Sequence, residues 1–163
     1  MSSITSLEPR IVWEQFDAIT QVPRPSKKEG RIIDFLVAFA ERHGIEYRKD
    51  ATGNVVMRKP ATPGFENRPA VILQSHMDMV CEKNSDVEFD FEHDAIRTRI
   101  DGEWVKAEGT TLGADCGIGM AAAPEDQHRT QLGQMPAQTF MLPVRHAAQF
   151  AHLAQHHHER PFL

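Results

Sequence analysis

Two stretches near the start of the chain repeat apolar residues at helical spacing. Ile11, Val12, Phe16 and Ile19 fall on one face of a short helix within about 7–19, with Pro9 at its first turn. Ile32, Ile33, Leu36, Val37 and Ala40 do the same over about 27–43, where Ser26 and Glu29 form a capping box and Gly44 closes the helix. The pattern then changes to alternation. Residues 45–48 and 54–58 read as two strands joined by a turn at 50–53. The unbroken apolar run Ala70, Val71, Ile72, Leu73 reads as a strand buried on both faces of a parallel or mixed sheet. Residues 96–100 and 103–107 form a hairpin through Asp101-Gly102, because Asp-Gly readily takes the positive φ angles of a tight turn. A glycine-rich bend at 113–119 opens a further helix, which Pro124 should stop. Helix, strands, apolar strand, hairpin and helix together predict an α/β fold.

After Ala123 the character of the chain changes. The remaining residues hold six of the nine histidines and no lysine, with many Gln and Pro. The expected division is therefore 1–122 as the folded part and 123–163 as a divergent tail, disordered or out of frame. A length of 163 residues fits about one domain on the usual prior. The net charge of −5 argues against a nucleic-acid or anionic-membrane partner, since phosphate binding needs clustered Lys and Arg. No run approaches the roughly eighteen apolar residues of a membrane span, and the first residues lack a secretory pattern, so a cytoplasmic location is expected. Cys81 and Cys116 are expected to be free thiols with a packing or incidental role.

The sharpest chemical signal is His76-x-Asp78 at the exit of the apolar strand, the sheet edge where open α/β folds bind ligands. Residues two apart on an extended segment point the same way. A neutral imidazole is a good zinc ligand, and a carboxylate on its other ring nitrogen fixes the tautomer. A solvated polar strand end is the plainer alternative. Asp115 lies in the glycine-rich bend, where a metal or substrate can approach closely, and a single carboxylate can bridge two cations. It equally suits a helix cap. The acidic run at 82–94 reads as a solvated loop.

Taken in order, Leu73-Gln-Ser-His-Met-Asp-Met-Val80, Ile100-Asp-Gly-Glu-Trp-Val-Lys-Ala107, Gly109-Thr-Thr-Leu-Gly-Ala-Asp115 and Gly117-Ile-Gly-Met-Ala121 closely resemble the bacterial Xaa-His dipeptidases. These are also called aminoacyl-histidine or cytosol non-specific dipeptidases, and they are zinc exopeptidases. The resemblance covers about 7–122 and implies part of a zinc-exopeptidase catalytic domain, a mixed sheet with flanking helices. It implies that His76 ligates a metal, that the catalytic-site carboxylate Asp78 orients His76, and that Asp115 bridges two zinc ions, with Mn or Co as possible substitutes. It also implies a cis peptide bond after Asp115, followed in the family by Asn or Asp where this chain has Cys116.

Beyond this point the family continues with an adjacent Glu-Glu pair, the first a general base and the second a ligand. It then adds a further acidic ligand, a distant His and a lid or dimerisation domain. The chain contains no Glu-Glu, which points to a change of reading frame or a truncated product after about Ala122. The expected function is thus that of a metal-dependent dipeptidase acting on dipeptides including Xaa-His, present as an inactive N-terminal part and dimeric only as the complete enzyme. The alternatives are a non-enzymatic remnant or small metal-binding protein using tail residues such as His152 and His156, and a related amidohydrolase or deacylase.

Overall fold

The structure, a computed structural model, describes residues 3–123 and the backbone of 138–142. A 3₁₀ turn at Ile4–Ser6 precedes helix α1, Arg10–Thr20, and helix α2, Gly30–Arg42. Strands β1, Glu46–Lys49, and β2, Val55–Lys59, pair antiparallel. Strand β3 is Val71–Gln74, and β4, Thr98–Asp101, forms a separate hairpin with β5, Trp104–Ala107. Helix α3, Ala114–Ala122, follows, and strand β6 is Gln138–Leu142.

The main sheet is mixed, in the order β1-β2-β6-β3: β6 runs antiparallel to β2 and parallel to β3. Strand β6 lies in the stretch read from sequence as a tail; the rest of 124–163, with His152 and His156, lies outside the described residues. Helix α2 packs on β1 and β2, and α1 packs on α3. Phe16, Ile19, Ile32, Leu36, Phe39, Val55, Met57, Met77 and Met120 join in one core. Burying apolar surface of this kind is what holds short helices in place, because helices of this length are marginal alone.

The expected helices form, with local corrections. Pro9 is the N-cap of α1 and lies outside its first turn. Ser26 does not cap α2: the helix starts at Gly30 with Glu29 at the N-cap and no side-chain cap bond. Glu29 instead accepts from the amide of Lys27 at 2.6 Å. Gly44 closes α2 at φ +63°, where Ile45 N–H bonds Ala40 C=O and Gly44 N–H bonds Glu41 C=O, the paired bonds of a Schellman ending. The turn between β1 and β2 is built on Asp50, whose Oδ1 accepts from the amides of Thr52 and Asn54.

The expected burial of β3 on both faces is overturned. Val71, Ile72 and Leu73 are exposed on a strand at the sheet margin. Their apolar run states what the strand would need to cover it, and the described residues do not supply that cover. Among the described residues no helix is long and apolar enough to cross a membrane.

Candidate metal centre

Where β3 ends, burial alternates from residue to residue over 75–79. Ser75, Met77 and Met79 turn inward and are buried, which leaves His76 and Asp78 on the opposite face. His76 Nδ1 lies 3.0 Å from Asp78 Oδ1 and 3.1 Å from the Asp78 carbonyl. The other carboxylate oxygen of Asp78 accepts a hydrogen bond from Ser26 Oγ. With Nδ1–H donated to Asp78, the imidazole turns its Nε2 lone pair outward.

The second half of the site comes from the glycine-rich bend. Gly113 sits at φ +71°, and Asp115 and Cys116 have non-helical backbone angles joined by a cis peptide bond, as the resemblance implied. Asp115 is not the cap of α3, a position held by Gly113. Its carboxylate projects into solvent, 95% exposed, and its Oδ1 lies 3.3 Å from His76 Nε2. A neutral Nε2 and a carboxylate oxygen are both acceptors, so a proton or a cation belongs between them. Cys116 completes a cluster in which one ligand atom each of His76, Asp115 and Cys116 lie within 4.8 Å of one another. Imidazole nitrogen, carboxylate oxygen and sulfur are a donor set suited to zinc or cobalt, so these residues fit the metal that the resemblance implies.

A buried arginine ties the two halves together. Arg24 is 1% exposed; its Nη1 donates to the carbonyls of Met77 at 3.2 Å and Asp78 at 3.1 Å, and its Nη2 donates to Gly113 C=O at 2.6 Å. Burial lowers its pKa to about 10, against the opposing pull of Asp78, Cys81 and Cys116, so the guanidinium keeps its proton at neutral pH. A Cβ on Gly113 would lie 2.5 Å from Nη2 and one on Gly117 2.8 Å, so both glycines make room for the guanidinium. Ser75 Oγ adds a bond to Cys116 C=O at 3.0 Å. Burial pushes the Cys81 thiol up, partly offset by Arg24.

The chain is 50% identical over 123 residues to the cytosol non-specific dipeptidase of Escherichia coli K12, a match covering 76% of this chain and 25% of that protein. The aminoacylhistidine dipeptidase of Vibrio alginolyticus superposes with a TM-score of 0.85 at 44% identity, over 91% of this chain and 30% of its own. In sequence and fold, the chain is similar to part of these dipeptidases. A tripeptidase from Staphylococcus aureus shares the fold alone, with a TM-score of 0.61 and 18% identity over 83% of this chain and 36% of its own. No family model matches the chain. The mixed sheet with flanking helices is thus part of the dipeptidase fold, and the chain spans about a quarter of the curated relative's length.

The dipeptidase-like segment brings together all three residues singled out from sequence: His76, Asp78 and Asp115. Three others went unseen. The sequence pattern puts Ser26 in a helix cap, gives Arg24 no local signal, and makes Cys116 a packing or incidental thiol. The signal for Cys116 was its position next to Asp115; the partners of Ser26 and Arg24 are more than fifty residues away in sequence.

Proposed function

We propose that residues 1–122 are the N-terminal part of a metal-dependent dipeptidase catalytic domain, and that 123–163 diverge from it. The observation that carries this reading is the 3.3 Å approach of His76 Nε2 to Asp115 Oδ1 with Asp78 behind the imidazole. His76 and Asp115 hold zinc, with manganese or cobalt as substitutes, and Asp115 is the ligand placed to serve two ions in the whole enzyme. Asp78 is a positioning residue: by accepting Nδ1–H it fixes the tautomer that leaves Nε2 free for the metal. When bound, the cation supplies Lewis acidity at the scissile carbonyl and lowers the pKa of water. The exposed face of Asp115 leaves the centre open to a small substrate, for which unblocked dipeptides including Xaa-His are proposed. The cytosol is the proposed location, and dimerisation is proposed for the whole enzyme only.

The chain contains no Glu-Glu pair to act as general base and further ligand. Metal binding without efficient turnover is therefore the expected behaviour. Equilibrium dialysis against zinc, followed by metal analysis, tests the first part: His76→Ala and Asp115→Ala should each lower the bound zinc. Unchanged zinc in both variants would place the metal on the tail histidines and sink the proposal. Robust hydrolysis of Xaa-His dipeptides by the purified chain would overturn the expectation of inactivity.

A further inference from the structure

Catalytic zinc sites usually present three protein ligands and one open position. His76 and Asp115 supply only two. A tetrahedral site with bonds of about 2.0–2.3 Å sets its ligand atoms about 3.3–3.8 Å apart. The His76–Asp115 pair is already at that spacing, 3.3 Å. Cys116 Sγ lies with them inside 4.8 Å, near enough to close on a shared ion by a small side-chain rotation.

We propose that the Cys116 thiolate is the third protein ligand, making a His76–Asp115–Cys116 site for a borderline-soft divalent cation with one position left for solvent or substrate. The inference rests on the metal-centre reading above, because the ion is the one His76 and Asp115 hold. It departs from the resemblance, which implies Asn or Asp after the bridging carboxylate. Two features of the fold support it. Gly119 leaves space for the sulfur: a Cβ there would lie 2.8 Å from Cys116 Sγ and 3.0 Å from Ser75 Oγ. The Ser75 hydroxyl in turn bonds the Cys116 carbonyl, fixing the backbone that carries the thiol. On binding, the thiol gives its proton to solvent and the sulfur lone pair takes the metal. A sulfur ligand shifts preference towards zinc, cobalt and cadmium and away from manganese and magnesium.

Cobalt(II) chloride titrated into the full chain reads this directly, because thiolate ligation gives a sulfur-to-cobalt charge-transfer band in the near ultraviolet that imidazole or carboxylate ligation does not. The band should appear in the unmodified protein and in C81S, and vanish in C116S. Outer-sphere changes already cost about 10–100-fold in affinity, so loss of the ligand should weaken cobalt binding by at least about tenfold. C116D, which offers an oxygen donor in place of the sulfur, should bind cobalt without the band, and matching circular dichroism melts across the set would show the fold intact. Cobalt binding that depends on His76 yet shows no band, or a band that survives C116S, overturns the thiolate assignment and leaves the metal centre standing. Cobalt binding unaffected by H76A overturns both.

Discussion

At the scale of single residues, the hydrogen-bond order Ser26–Asp78–His76 decides which imidazole nitrogen is available. The Ser26 hydroxyl occupies one oxygen of Asp78, so the other is left for His76 Nδ1. Removing that hydroxyl frees the carboxylate to rotate and loosens the imidazole. Ser26→Ala should therefore weaken zinc binding by about tenfold while the melting temperature stays nearly unchanged, as isothermal titration and a thermal melt would show. An unaltered zinc affinity would make Ser26 a bystander. The juxtaposition of His76, Asp78 and Asp115 was legible only through the resemblance, because locally a polar strand exit equally suits a solvated end and an Asp in a glycine-rich bend equally suits a helix cap. Ser26 was not. Its Ser-x-x-Glu spacing matches a helix cap, and the partner that outcompetes the helix is Asp78, 52 residues on.

At the scale of elements, the site is two loops held in register by one side chain. Arg24 bonds the strand exit at Met77 and Asp78 and the bend at Gly113, and the bridge between Pro25 and Met79 lays its own segment alongside. Gly113→Ala should be costly for two reasons: φ is +71° there, and the new methyl would meet the guanidinium at 2.5 Å. A loss of about 2 kcal/mol or more in a urea melt is expected, together with weaker zinc binding. A variant as stable as the parent would show that the two loops do not need Arg24 in its present place. The helices, the β1–β2 turn and the Asp101-Gly102 hairpin could be read from sequence because their signals are local: helical periodicity, a turn carboxylate at Asp50, a glycine at φ +62°. Arg24 gave no such signal. A lone Arg beside two prolines looks solvated until three backbone carbonyls from distant segments converge on it.

At the scale of the whole molecule, β3 stands out among the described elements as poorly covered by its surroundings. Val71, Ile72 and Leu73 are 37%, 47% and 39% exposed on a margin of the sheet. The pattern could tell that this run is apolar and belongs to a parallel or mixed sheet, but covering a strand takes partners from elsewhere in the chain, and a local pattern does not say whether they are there. An exposed apolar edge strand is a template for association. Sedimentation or light scattering should find concentration-dependent self-association of the full chain, reduced in Ile72→Lys; a parent that stays monomeric at every concentration would count against this view of β3. Inside a cell the consequence reaches past the candidate metal centre. A molecule carrying such a margin is a standing client for holdase chaperones and quality-control proteases, so its lifetime, ahead of its chemistry, would set how much of it is ever present.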